Sequence, residues 1–339
     1  MTGIQAAERV FIVAGKEFTD HLTSRKFLVI LALLLMFVLL GMHQGIDQYN
    51  RDLEVYNQQL QAAEDAAGPA GMMPERPSTL FVFLYLESSL IVFGGVLAIA
   101  MGVDLVSKEK ESRSLKSLLS HPVYRDEIIN GKALGGMAAL GVALVVAFAL
   151  TFAVLLVFSI VPTADEVSAV LIFGLASFLF MLAFFALALA LSVGVKESGH
   201  AVVYGLTLFF ALTYPLQMFG MVLAGAVVGD MPQKPEMPAW TDSEGVNHVP
   251  YDEAYEEECD RYAAELEVYQ NKRQFVTDMV YLFSPVRTYS AVTSTTVHPS
   301  ELPPEEAADR IWRNLAALIV FPAVFFAAAY VKFMRMDIR

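Results

Sequence analysis

Three runs of 29 residues each, Ala133–Val161, Val167–Val195 and Ala201–Gly229, contain no Asp, Glu, Lys or Arg. A helix of a soluble domain keeps a polar face, whereas a bilayer is crossed by roughly 20 consecutive apolar residues. Each run is therefore long enough to span with tilt or to project beyond the membrane. Only PTADE separates the first pair and only KESGH the second, so successive spans must alternate in direction. Residues 27–46, 79–103 and 310–331 supply three further apolar stretches. With 56% hydrophobic and 17% charged residues, the composition agrees with a membrane protein and not with a soluble domain.

The predicted fold is an all-α integral membrane protein with six transmembrane helices, an N-terminal amphipathic interfacial helix and a partly helical external segment. Residues 1–26 form the interfacial helix, because Ile4, Ala7, Phe11, Ala14, Phe18 and Leu22 recur at steps of three and four. Glu8, Arg9, Lys16, Glu17 and Asp20 fall on its other faces, and Arg25 and Lys26 mark the boundary of the first span. Residues 47–78 are read as an external loop closed by Gly and Pro breakers, 104–132 as a cytoplasmic loop and 332–339 as a cytoplasmic tail. The spans themselves cover 27–46, 79–103, 133–161, 167–195, 201–229 and 310–331.

Lys and Arg resist translocation, so the loop 104–132, which holds six of them, belongs inside with both termini. That arrangement sends most carboxylates outward and explains a net charge of -13 as an acidic outer surface. Adaptation to high salt is one reading of such a surface. The longest external segment, 230–309, opens with the Pro-rich DMPQKPEMPAW and continues as an acidic helix from Tyr251 to Phe283, which Ser284-Pro285 ends.

Two features interrupt the apolar pattern. Glu87 lies about two turns into the second span, where a charge at the bilayer centre would cost roughly 2.5–3.5 kcal/mol. Pro215 falls inside the fifth span and removes a backbone donor. Both are candidates for a transport pathway, weighed against roles in bundle packing and kinking. The Phe-rich run from Phe173 to Phe185 suggests either an apolar cargo or a face turned to lipid.

No stretch carries catalytic chemistry. Gly131-Lys132 continues Ala-Leu and forms no phosphate loop, HExxH is absent, and the six His are scattered. Glu256, Glu257, Glu258 and Asp260 lack the spacing of a calcium loop. The single Cys259 permits no internal disulfide, and no basic platform suits nucleic acid. A signal peptide is not expected, since no small-residue cleavage site precedes the first span.

The loop between the second and third spans reads KEKESRSLKSLLSHPVYRDEIINGK. It resembles the first cytoplasmic loop of type-two ABC transporter permeases: an acidic pair, a small-residue turn, a Leu-rich helix, Pro-Val-x-Arg and a Gly-Lys entering the third span. Glu109, Glu111, Leu115, Leu118, Leu119, Pro122, Val123, Arg125, Gly131 and Lys132 stand in those places. Arg113-Ser114 replaces the family's usual Gly-Thr. KEFTDHLTSRKF, with Lys16, Glu17, Phe18, Ser24, Arg25, Lys26 and Phe27, is similar to the family's amphipathic start, and LFSPVRTY is a weaker echo.

The resemblance implies a permease that binds no cofactor itself and works with a separate ABC ATPase carrying ATP and Mg. It also implies a permease dimer in a two-plus-two assembly in the plasma membrane, surrounded by lipid and exporting its substrate. The ATPase would dock on 104–132. Two other classes compete: a secondary transporter, which would need paired repeats and more intramembrane charge, and a membrane anchor for the external acidic segment.

Overall fold

The computed structural model describes residues 3–65, 76–112, 124–235, 240–241, 247–248, 253–298 and 303–336. Among the described residues the regular elements are helical apart from one two-residue antiparallel pair, β1 (Trp240–Thr241) with β2 (Asn247–His248). Six helical stretches are long and apolar enough to cross a membrane. The chain divides into two compact units, 1–210 with 285–339, and 211–284.

The larger unit starts with α1 (Gly3–Thr23) and α2 (Arg25–Asp65), the second continuing the first span well beyond its apolar part. The second span is α3 (Phe81–Ser89), a π-helical turn (Leu90–Gly94) and α4 (Gly95–Glu111) in unbroken sequence. The third is α5 (Arg125–Val157) and the fourth α6 (Ala164–Gly194). The fifth is divided into α7 (Ser198–Thr213) and α8 (Pro215–Val228), with Pro215 in the first turn of α8, where its missing N–H is not needed.

The second and fourth spans are the buried ones. In each, 67% of the most apolar window is covered within the chain, against 22% for the first and 17% for the fifth. Small residues let these helices approach closely, as expected where packing rather than hydrophobic exclusion holds a bundle together. A Cβ on Gly102 would lie 2.6 Å from the Phe185 carbonyl oxygen. Phe173, Phe180, Phe184 and Phe185 are buried within the bundle, while Phe178 of the same run is half-buried and Leu175 is exposed. The buried rings form a cluster in which Phe83 meets Phe152 and Phe173 edge to face and Phe148 at a tilt, and Phe180 stacks on Tyr289 at 4.8 Å.

The segment 230–309 is shared between the units. Within the smaller one, α9 (Glu253–Tyr281) packs on α8, where Gly220 makes room for the Tyr281 ring. Ser284 Oγ donates to the Leu212 carbonyl at 2.9 Å. Gly229, at φ 85°, ends α8 in a conformation that L side chains rarely adopt.

Within the larger unit, α10 (Pro285–Val297) packs against α6, α3 and α11 (Pro304–Met334). Its buried Thr293, Thr295 and Thr296 satisfy their hydroxyls on carbonyls one turn back, which lets a polar helix sit among apolar ones.

At the end of the bundle where α3 begins, Glu166 accepts hydrogen bonds from Ser78 Oγ, Thr79 N and Thr79 Oγ1. It also caps its own helix through Thr163 N. One carboxylate thus joins the start of the second span to the start of the fourth.

Candidate functional site

At the opposite end of the larger unit, α1 lies along the beginning of α5. Gly131 and Gly135 are one turn apart on α5 and form the contact surface. A Cβ on Gly131 would meet Val13 at 2.6 Å, and one on Gly135 would meet the Ala14 carbonyl oxygen at 2.6 Å. The matching stripe on α1 is Val10, Val13, Ala14 and Glu17, offset from the apolar stripe of the sequence. Phe11 is accordingly 68% exposed, while Phe18 is half-buried.

Glu17 is the main departure from periodicity. Expected on a polar face, it is buried, because Lys132 Nζ reaches it at 2.7 Å. The same ammonium donates at 2.7 Å to Glu109 at the end of α4. Lys132 is 1% exposed and therefore holds α1, α4 and α5 at one point. Two carboxylates around one buried cation offset its desolvation, and each carboxylate depends on that cation in turn.

Two turns before Gly135, Arg9 makes a bidentate contact with Glu127, the shortest separation being 2.6 Å. Bonding to that carboxylate raises the Arg9 pKa. Glu127 also accepts from the Tyr124 N–H at 3.0 Å and so caps the helix it opens.

The residues after Glu109 extend the junction. Lys110 Nζ donates to the carbonyls of Val193 at 2.6 Å and Val195 at 3.1 Å, the open C-terminal end of α6. Glu111 accepts from Ser198 Oγ at 2.9 Å, at the start of α7. Arg125 donates to the Met336 carbonyl at 2.8 Å, just past α11. Lys26 pairs with Asp104 at 2.7 Å and joins α2 to α4. Three successive charged side chains, Glu109, Lys110 and Glu111, are thus tied to three different helices.

Of the other loop residues singled out in the sequence, Arg113, Leu115, Leu118, Leu119, Pro122 and Val123 lie outside the described residues. Lys16 sits 3.3 Å from Asp20, and Arg25 is exposed. Glu87 accepts from Ser290 Oγ at 2.7 Å and lies three residues before the π-helical turn that begins at Leu90. Pro215 belongs to the smaller unit.

Sequence reading did not single out Lys110, Asp104, Glu127 or Glu166. The visible signal for the first was the run KEKE at the end of an apolar span, where alternating charges point in several directions round a helix.

A cavity of about 430 Å³ adjoins the junction, between α1, α2 and α4, with Lys132, Glu17 and Glu109 in its wall. His21 Nε2 and Glu109 Oε2, both lining it, are buried and have no hydrogen-bond partner among the described residues. Burial lowers the His21 pKa and favours the neutral ring.

The arrangement holds ion pairs and helix ends together. Among the described residues no group of three His, Cys, Asp or Glu is placed to hold a metal.

Residues 11–338 match the family model described as ABC-2 family transporter protein. Over 222 residues the chain is 30% identical to the protein named probable ABC transporter permease protein NosY of Pseudomonas aeruginosa, covering 63% of this chain and 71% of that one. With six apolar helices and a match running almost from end to end, this multi-pass membrane protein belongs to the ABC-2 transporter family of permeases.

Proposed function

We propose that this ABC transporter permease exports its substrate, driven by a separate ATPase that docks on residues 104–132 and carries the ATP and Mg. The observation that carries the reading is the fastening of Glu109, Lys110 and Glu111 to α5, α6 and α7. A loop entered through such a clamp cannot be displaced without moving several spans. Closure of an ATPase dimer against the segment around Leu115, Leu118 and Leu119 would pull on the end of α4. Lys132 would pass that movement to α1 and α5, and Lys110 would pass it to α6. A bundle with two arrangements would then be biased by a ligand bound on its partner.

The same reading takes two permeases with two ATPases, both termini on the cytoplasmic side and the acidic α9 outside. The location of the charged junction at one end of the bundle supports the orientation, because cations collect on the side they cannot leave. Glu87 and Pro215 remain the pathway candidates, and the π-helical turn near Glu87 supports the first, since such turns cluster at functional positions.

Co-expression of the chain with its candidate ATPase tests the proposal. Leu118→Asp with Leu119→Asp is expected to abolish co-purification, and Lys110→Met is expected to keep the ATPase bound while lowering substrate-stimulated hydrolysis. Full co-purification and full stimulation in both variants would remove this loop from the drive mechanism.

A further inference from the structure

The cavity beside the junction is lined by charged side chains and by an apolar stretch of α4. Its wall carries five cations and four carboxylates, leaving one positive charge with His21 neutral. Lys132 is held by Glu17 and Glu109, Lys26 by Asp104 and Lys16 by Asp20. Arg25 and Lys108 also line the cavity and make no ion pair among the described residues. They are the groups free to receive an anion.

Leu97, Ala100 and Met101 continue the same wall along α4 toward the interior of the second span. A soluble anion would leave that apolar surface uncovered, whereas an acyl chain would cover it. Beyond the cations, Glu109 Oε2 offers a buried acceptor without a donor, and His21 Nε2 is a second unmatched polar atom. A ligand that fits all of these carries a single negative charge, an apolar tail and a hydroxyl beyond the charge.

We propose that this cavity binds the phosphodiester of an anionic membrane phospholipid with a hydroxyl-bearing headgroup. Arg25 and Lys108 receive the phosphate, Glu109 Oε2 accepts from a headgroup hydroxyl, and the chain lies along Leu97, Ala100 and Met101. The lipid then contacts α2 and α4 and rests against α1. It becomes a further tie at the point where Lys132 already joins helices. The inference stands independently of ATPase docking, because every observation behind it lies within the permease.

The full chain, purified in a non-ionic detergent, is titrated with dioctanoyl phosphatidylglycerol, dioctanoyl phosphatidylcholine and inorganic phosphate while its thermal midpoint is followed. Phosphatidylglycerol is expected to raise the midpoint saturably, as any ligand selective for the folded state does. Phosphatidylcholine and inorganic phosphate are expected to leave it unchanged at the same concentrations.

The double variant R25Q/K108Q replaces two exposed side chains and is expected to fold normally while weakening the phosphatidylglycerol response at least about tenfold, the loss expected for removing charge-assisted hydrogen bonds. Ala100→Leu fills the apolar wall and is expected to weaken the response in the same direction. An unaltered response in R25Q/K108Q, or no response to any of the three probes, overturns the proposal. Equal stabilisation by inorganic phosphate, insensitive to Ala100→Leu, assigns the phosphate to a soluble source and overturns the lipid. Equal stabilisation by phosphatidylcholine overturns the requirement for an anionic headgroup.

Discussion

The two polar clusters of the larger unit differ in how their charge is balanced. Around Lys132, one ammonium is shared by two carboxylates at 2.7 Å, with Lys16 3.6 Å from one of them, Glu17, and the three groups of the joint come from three different helices. Around Glu87, a single carboxylate meets the Ser290 hydroxyl, while neighbouring Tyr289 shares a 2.9 Å hydrogen bond with Ser177. The first cluster is an ionic joint; the second is a carboxylate held chiefly by the hydroxyls of Ser290 and Thr293, with the charge of Arg287 acting on it, beside a cluster of aromatic rings. Ionic joints bear load at a fixed geometry, since separating the charges exposes each to an apolar surrounding. A buried carboxylate held by hydroxyls also loses stability when a donor moves, but less than one whose buried cation is removed.

The sharpest way to break this contrast is Lys132→Met. Two carboxylates would then face one another without the cation between them, and breaking a buried pair on one side costs about 3–5 kcal/mol. The variant should show a large drop in thermal midpoint in detergent, and E17Q/K132M/E109Q should recover most of it, because no unpaired charge remains. A wild-type midpoint for the single variant would mean the joint holds nothing.

Gly135→Leu attacks the same joint through packing. Its Cβ would run into the Ala14 carbonyl oxygen, so α1 must shift at a cost of up to about 3 kcal/mol. Limited proteolysis within α1 should become faster, with the spans still protected.

At the other cluster the effects should be smaller. Ser290→Ala removes one of the hydroxyls that hold the Glu87 carboxylate and is expected to cost about 1–2 kcal/mol in denaturant or thermal unfolding. Glu87→Gln keeps an acceptor for Ser290 and should cost less than Ser290→Ala. A Glu87→Gln variant that collapses as Lys132→Met does would erase the distinction between the two clusters.

The smallest effect sharpens the environment of the joint. Burial holds the His21 pKa below its ordinary value of 6.5, so the unfolded chain binds a proton more readily than the folded one. Stability attributable to this residue is therefore complete above about pH 6.5 and falls as the pH drops through the folded value. His21→Gln should flatten the decline in thermal midpoint on acidification below that pH. An identical pH profile in the variant would remove His21 from that decline.

Much of the architecture was legible in the sequence, and the physical reason is solvent. An apolar run that must satisfy its backbone in a bilayer becomes a helix whatever surrounds it, so Ala133–Val161 and Val167–Val195 declared themselves without tertiary context. Glu109, Glu111, Arg125 and Lys132 were singled out from the sequence by the loop's resemblance to the family pattern. Their pairing was not legible: Ser198, the Met336 carbonyl and Glu17 lie 87, 211 and 115 residues away.

Periodicity along α1 assigned Glu17 to a polar face because a helical wheel contains no neighbour. The close approach allowed by Gly131 and Gly135 turned that face toward α5. Similarly, PVRTYSAVTSTTV read as part of an external segment because its mean polarity is high. Its placement against α6 and α11 depends on hydroxyls that bond to their own helix and on Tyr289 finding Ser177. The sequence by itself determined the number of spans, the end of the bundle where charge collects and the family. Only the tertiary structure decided which charges meet, because pairing of buried ions depends on contacts between helices that no local pattern records.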